Sequence, residues 1–334
     1  MRVAVVGAGS WGTALAVVAG RAGHSVSLWS RDPSQVSEMR RERVNVKYLA
    51  GHALPERVEP TSDFDEALTG ADLVLLVVPS HVMREVLAQM MPRLRERMLF
   101  VSATKGIETE TGKRVSEVLR ESLKERFEPR FVCLSGPSFA KEVASGQPTA
   151  VVAAGDDLED AKVVQEALSF QNLRIYTNTD VVGAEVGGAV KNVMAVAAGM
   201  VAGLGLGSNS VSALITRGLA EMSRLALAQG ARTETLMGLA GLGDLVLTST
   251  GSLSRNRYVG QEIGRGRALK EILAGMSEVA EGVKTTLAVH HLAARLKVEM
   301  PITEEVHAVL YEGKSARDAA EALMTRPLRG EFER

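Results

Sequence analysis

Lys191 and Asn192 stand side by side within residues 181–206, a stretch otherwise made almost entirely of Ala, Gly, Val, Leu and Met. An ammonium group buried in such surroundings loses hydration, and its pKa falls toward the range where a lysine gives and takes protons at neutral pH. Burying a charge without a use for it is costly, so the embedded pair points to a function. Further along come Gly241-Leu-Gly-Asp244-Leu-Val-Leu-Thr248 and Ser254-Arg255-Asn256-Arg257. Asp244, in its glycine-rich turn, suits a counter-ion that pairs with Lys191 and holds its charge. Ser254, Arg255 and Asn256 combine hydroxyl, guanidinium and amide donors, the set that clamps an oxyanion or a phosphate. The same three residues also read as a plain surface loop. Two more clusters, Ser102-Ala-Thr-Lys105-Gly106-Ile107 and Ser135-Gly136-Pro-Ser138-Phe-Ala140, each follow an apolar run that reads as a strand. The carboxyl ends of strands in an open parallel sheet face the ligand crevice, which places Lys105 and the Ser135–Ala140 segment beside it.

The elements that must position these groups begin at the N-terminus. The run Arg2–Val6 reads as a strand and leads directly into Gly7-x-Gly9-x-x-Gly12, with a helix opening at Trp11. Gly7 permits the tight turn, Gly9 lets the backbone approach a pyrophosphate, and Gly12 lets helix pack on strand. The helix start adds unpaired N–H donors and a partial positive charge, so the turn predicts a bound dinucleotide. After a second strand at Ser25–Trp29 the chain reads Ser30-Arg31-Asp32. An acid at that strand end binds the ribose 2′-hydroxyl of NAD, whereas arginine accommodates a 2′-phosphate. Ser30 stands where the acid would be and Arg31 follows, which favours NADP(H). Asp32 and a one-residue shift of register keep NAD(H) open, and an arginine at a strand end is also an ordinary solvated charge.

Further strands are expected at 73–78 (stopped by Pro79), 98–102, 130–134, 149–153 and 173–176, with helical stretches at 11–21, 81–91 and 113–126. This alternation predicts an α/β, Rossmann-like, doubly wound and mostly parallel sheet with right-handed crossovers. From Asp180 to about Leu323 the β-branched runs give way to long helical patterns rich in Ala, Gly, Leu and Met, an all-α domain. The expected division is 1–178 for a dinucleotide-binding domain, 179–325 for a helical substrate-binding and catalytic domain, and 326–334 for a charged tail.

The chain has 334 residues, long for one core and natural for two. Its formal net charge of −1 argues against nucleic acid or an anionic membrane surface as the main partner, and leaves a small anion open. The single cysteine, Cys133, excludes an internal disulfide and a cysteine-built zinc site. Its apolar neighbours suggest a buried thiol and an intracellular protein. The apolar run from Val3 is broken by glycines and too short for an export signal. Residues 181–206 invite a membrane reading, but Glu185, Lys191 and Asn192 in their midst favour a buried helix and no membrane span. His290 and His291 are adjacent and cannot converge on one metal from a helix, so no metal is expected. Glu278 and Glu281 read as helix-surface charges, and a GxSxG nucleophile elbow is absent.

Taken in order, Gly7-Ala-Gly-Ser-Trp-Gly-Thr-Ala-Leu15, Val78-Pro-Ser80, Ala103-Thr-Lys-Gly-Ile107, Ser135-Gly-Pro-Ser-Phe-Ala140, Lys191-Asn192, Gly241-Leu-Gly-Asp244-Leu and Arg255-Asn-Arg257 make a chain that resembles the soluble bacterial NAD(P)-dependent glycerol-3-phosphate dehydrogenases over nearly its whole length. The resemblance implies a 6-phosphogluconate-dehydrogenase-like fold with the active site between a Rossmann-like and a helical domain. It implies hydride exchange between NAD(P)H and dihydroxyacetone phosphate to give sn-glycerol 3-phosphate for glycerophospholipid synthesis, in a cytoplasmic homodimer. Carried over residue by residue, it places the general acid/base on Lys191, with Asp244, Lys105 and Thr248 as the other catalytic positions. Substrate contacts fall on Lys105, Gly136, Ser138, Lys191, Asp244, Ser254, Arg255 and Asn256. Dinucleotide contacts fall on Gly7, Gly9, Ser10, Trp11, Gly12, Arg31, Lys105, Ala140, Arg255, Val279 and Glu281. Ser249 departs from the cysteine that many relatives carry, a near-isosteric change expected to matter little. A β-hydroxyacid or 6-phosphogluconate-type dehydrogenase shares the architecture and a lysine–asparagine pair, but the Gly-Pro-Ser-Phe-Ala and Gly-Leu-Gly-Asp segments argue against it. A non-catalytic dinucleotide sensor would need no embedded lysine.

Overall fold

A computed structural model describes residues 1–276, 280–328 and 330–331. Eight strands form one sheet in the order β3-β2-β1-β4-β5-β6-β7-β8: β1 Arg2–Val6, β2 Ser25–Trp29, β3 Val58–Thr61, β4 Leu73–Leu76, β5 Leu99–Ser102, β6 Arg130–Ser135, β7 Thr149–Gly155 and β8 Leu173–Asn178. All neighbours run parallel except β6 and β7. Strand β4 is apolar at every position, and β1 and β5 are so but for the terminal Arg2 and Ser102, because helices cover both faces. In β1, Val3 and Val5 pack into one layer with Leu15 and Ala19, while Ala4 and Val6 pack into the other with Leu87 and Leu119. The strand order reverses between β1 and β4, and the crevice outside their carboxyl ends is where such a sheet binds ligands.

The doubly wound sheet is as expected, with one strand added. The β3 segment Val-Glu-Pro-Thr carries a charge and a proline, which mask a strand pattern. Its place at the sheet edge explains why Pro60 is tolerated there. The stretch anticipated as a helix at 81–91 is a 3₁₀ turn, Ser80–Val82, followed by the helix Met83–Met90.

Among the described residues no strand follows Asn178. Asp180 caps the next helix, its Oδ1 accepting from Gly183 N at 2.8 Å. That helix, Val181–Gly203, is the one described helix long and apolar enough to cross a membrane, and 83% of its most apolar window lies buried inside the protein. Helices Ser208–Leu227, Arg255–Gly264, Glu281–Leu296 and Pro301–Tyr311 pack around it. Glu185 ties it to the sheet half: its carboxylate accepts from Ser116 N at 2.8 Å, Ser116 Oγ at 2.6 Å and Arg114 at 3.2 Å. Burial raises the Glu185 carboxyl above its ordinary range, against the pull of Arg114.

The crossing between Val181–Gly203 and Arg255–Gly264 is set by small residues on both sides. A Cβ on Gly199 would come within 2.1 Å of the Arg257 carbonyl oxygen, and one on Gly260 within 1.9 Å of that of Val196. Backbone therefore meets backbone, and this brings the start of the Arg255–Gly264 helix beside Asn192. Gly260→Ala is expected to force the helices apart at a cost of about 1–3 kcal/mol of stability and to lower turnover. Chemical denaturation with and without the substitution checks this, and an unchanged midpoint would contradict the interlock.

Candidate active site

A cleft of about 620 Å³ opens at the carboxyl ends of β1 and β4 and runs against the helical half. At one end lies the glycine turn. Gly7 has φ +121°, and a Cβ there would stand 2.6 Å from the Val77 carbonyl oxygen. A Cβ on Gly12 would meet the Gly7 carbonyl oxygen at 1.8 Å, so helix Ser10–Arg21 can start only over a glycine. Beside Gly9, by contrast, nothing lies within 4 Å of a Cβ position, and that open side faces the cleft. Unfilled space next to a helix N-terminus fits a pyrophosphate. The turn thus has the shape that a dinucleotide requires.

At the end of β2, Ser30 is buried and its Oγ donates to Gln35 Oε1 at 2.7 Å. Asp32 is spent as the cap of helix Pro33–Glu42, accepting from Ser34 N at 3.0 Å. Ser30 has no carboxylate to offer a ribose 2′-hydroxyl, and Asp32, which also lines the cleft, has one oxygen engaged in the cap. Arg31 and His81 both line the rim of the cleft. Burial, then the charges of Lys284 and Arg31, hold the His81 imidazole below its ordinary value, which marks this rim as cationic.

The opposite wall carries the lysines. Lys191, from the middle of the long helix, donates through Nζ to Asp244 Oδ1 and to Thr248 Oγ1, the latter at 2.8 Å. Lys105, at the end of β5, donates to Asp244 Oδ2 at 2.8 Å, to the Gly136 carbonyl at 2.9 Å and to Ser138 Oγ at 3.3 Å. Asp244 is 1% exposed and divides its carboxylate between both ammonium groups. Burial pushes its carboxyl up, but the two neighbouring cations outweigh burial and hold it below the usual range. Burial pushes Lys191 down to about 7, with Asp244 opposing and Lys105 adding to the fall. Glu281 also lines the cleft, and burial raises its carboxyl against the pull of Arg255, Lys191 and Lys105.

Between the two walls, Ser254 caps the helix Arg255–Gly264, accepting from Arg257 N at 3.2 Å. The first turn of that helix, with Arg255 and Asn256, opens onto the cleft beside Lys191. The Asn256 side chain is largely engaged: Nδ2 donates to Asn192 Oδ1 at 2.9 Å, and Oδ1 accepts from Gly282 N at 2.9 Å. Asn192 donates in turn to the Lys105 carbonyl at 3.1 Å, fixing the lysine loop to the long helix.

Residues expected from the sequence to meet a dinucleotide or a substrate thus converge on one cleft. Gly7, Gly9, Ser10, Trp11, Gly12, Arg31, Lys105, Ser138, Ala140, Lys191, Thr248, Ser254, Arg255, Asn256 and Glu281 all line it. Gly136 and Asp244 lie behind its wall, holding the lysines from beneath. Val279 falls outside the described residues, as does Glu278. Lys47, Tyr48 and His81 line the cleft without having been anticipated, while Phe139 lines it within the segment 135–140 already expected there. His81 follows a strand end and was open to the same reasoning as Lys105. Lys47 and Tyr48 carry no local signal and arrive only because the short helix Val46–Leu49 folds back onto the glycine turn. Among the described residues no cluster of three or more His, Cys, Asp or Glu is placed to hold a metal, and His290 stacks on His307 at 3.9 Å.

Family models for the N-terminus and the C-terminus of NAD-dependent glycerol-3-phosphate dehydrogenase match residues 2–161 and 180–321. The chain belongs to the glycerol-3-phosphate dehydrogenase family. It is similar to glycerol-3-phosphate dehydrogenase (NAD(P)+) of Koribacter versatilis, 55% identical over 328 residues, covering 98% of this chain and 97% of that one. The enzyme of the same name from Citrifermentans bemidjiense is 53% identical over 330 residues, covering 99% of this chain and 98% of that one. The crystal structure of glycerol-3-phosphate dehydrogenase from Coxiella burnetii superposes with a TM-score of 0.94 at 42% identity, covering 97% of this chain and 99% of that one.

Proposed function

We propose that this chain catalyses the reversible NAD(P)H-dependent reduction of dihydroxyacetone phosphate to sn-glycerol 3-phosphate, feeding glycerophospholipid synthesis, with Lys191 as the acid/base group. The observation that carries the chemistry is a lysine buried in the cleft wall, paired with Asp244 and Thr248 and facing a dinucleotide turn. A nicotinamide dinucleotide bound there supplies or takes the hydride. The protein's own part is to bind, orient and move one proton. In reduction the Lys191 ammonium donates a proton from Nζ to the oxygen of the substrate's ketone carbon; in oxidation the free amine takes it back. Asp244 and Thr248 aim Nζ, and Lys105 adds positive charge beside the developing alkoxide. Arg255 and the N-terminus of its helix hold the substrate phosphate, so the ketone is fixed between phosphate grip and proton donor. Positioning of this kind removes much of the entropic barrier.

On this reading, residues 1–178 hold the dinucleotide, while 179–325 supply proton transfer and the phosphate grip. Arg31 in the cleft lining, with Ser30 rather than an acid at the end of β2, supports NADP(H) over NAD(H). We extend the reading to a cytoplasmic homodimer: Cys133 is a buried free thiol, and exposed Leu242 and Val246 leave apolar surface for a second copy to cover.

Lys191→Ala is expected to lower turnover about 10²–10⁴-fold while NADPH still binds, measured by steady-state rates and by quenching of coenzyme fluorescence. Near-wild-type turnover would sink the assignment. The pH dependence has a definite sign. With Lys191 titrating at about 7, the reductive kcat falls as pH rises through that value and the oxidative kcat rises through it. Profiles that are flat, or that bend the same way in both directions, would contradict the proton role. Arg255→Ala should raise KM for dihydroxyacetone phosphate roughly 10–100-fold, as the loss of charge-assisted hydrogen bonds implies, and an unmoved KM would refute the clamp. Arg31→Ala should cut the ratio of kcat/KM for NADPH over NADH about tenfold, with initial rates on each coenzyme as the check.

A further inference from the structure

Beneath the glycine turn lies a set of buried polar side chains that proton transfer and phosphate grip do not use. Asn45 is fully buried, just ahead of helix Val46–Leu49, and does not itself line the cleft. Its Nδ2 donates to the Ala8 carbonyl at 2.9 Å and to Thr13 Oγ1 at 2.7 Å. Its Oδ1 accepts from Tyr48 N and from Gln35 Nε2, each at 3.3 Å. Gln35 Nε2 also donates to the Ala8 carbonyl, at 2.9 Å, while its Oε1 accepts from Ser30 Oγ. Two amide groups, from elements on either side of residue 43, thus converge on one carbonyl oxygen. Turning either amide over would set oxygen against oxygen at Ala8, so their orientations are fixed by the network itself.

Peptide geometry carries the effect into the cleft. The Ala8–Gly9 peptide is trans, since the described chain has no cis bond. In a trans peptide the C=O and the following N–H point in opposite directions within one plane. With the Ala8 carbonyl drawn toward Asn45 and Gln35, the N–H of Gly9, which lines the cleft, points away from them. The same peptide flipped over would present a carbonyl oxygen to an anion and repel it.

We propose that Asn45, seconded by Gln35, is a positioning residue that holds the Ala8–Gly9 peptide with its N–H facing the coenzyme pyrophosphate. Affinity for the coenzyme then depends on a buried amide that never meets it. The proposal rests on the dinucleotide reading of the cleft.

Asn45→Asp tests it, because the substitution keeps shape and replaces a donor with a carboxylate oxygen opposite the Ala8 carbonyl. NADPH and NADH share the pyrophosphate, so kcat/KM for both should fall about tenfold or more by a common factor, as for loss of a buried hydrogen bond with repulsion added. The kcat at saturating coenzyme and the KM for dihydroxyacetone phosphate should each stay within about threefold, as expected when only coenzyme binding is weakened. A wild-type KM for coenzyme would overturn the proposal. So would a changed NADPH/NADH ratio, which would mark general loosening at the end of β2. If Asn45→Asp does not fold, Asn45→Ala gives the same readout, with a common loss of about threefold expected and no loss overturning the idea. Wild-type protein that oxidises neither coenzyme would instead defeat the dinucleotide reading itself.

Discussion

One carboxylate, that of Asp244, holds two lysines that come from different halves of the chain. Lys105 arrives at the end of a sheet strand, Lys191 from the middle of the longest helix, and Asp244 from the start of a third element. All three are largely withdrawn from water, where a lone ion would be strongly disfavoured and only close pairing offsets desolvation. The cluster therefore exists only if sheet and helical halves are held at a fixed separation. Several contacts have that effect. Glu185 clasps the start of the long helix to Ser116, Asn192 bonds the Lys105 carbonyl, and the glycine crossing sets the Arg255–Gly264 helix alongside. With Lys191 protonated the triad carries a net positive charge, which suits an anionic substrate and a developing alkoxide.

The cleft uses the same device at two places. Gly9 opens the helix Ser10–Arg21 and Ser254 opens the helix Arg255–Gly264, so two helix N-termini face one cavity with the lysines between them. Each offers N–H donors and the positive end of a peptide dipole. Each is suited to hold a phosphate group, the second with the Arg255 guanidinium beside it. The spacing between the two helix starts is a property of the whole fold, and on the proposed function it sets the distance between hydride carrier and ketone.

The sequence displayed some of this plainly and concealed the rest for identifiable reasons. The apolar strand Arg2–Val6 running into Gly7, Gly9 and Gly12 is a local signal, and so is a lysine embedded in an apolar helix. Strand Val58–Thr61 was hidden because its edge position tolerates Glu59 and Pro60. That Lys105 shares Asp244 is a contact across 139 residues, with no local pattern to announce it. Asp32 lines the cleft after β2 and also caps the next helix, a second use that its position in the sequence does not announce. Asn45 carries no local signal in the sequence. Its meaning lies wholly in the carbonyl it meets, 37 residues earlier.

The sharing of Asp244 also bears on why Lys191 sits near neutrality. Burial alone would strip the proton from a lysine, and a private carboxylate would bind it too firmly for release. Here a single negative charge is divided between two ammonium groups, and Lys105 both competes for Asp244 and repels the charge on Lys191. The proton on Lys191 is therefore kept, but weakly. A group that must donate in one direction and accept in the other works best when its pKa lies close to the working pH. Burial is the main cause that brings Lys191, the proposed acid/base group, near neutrality, and Lys105 adds to that shift through the carboxylate they share.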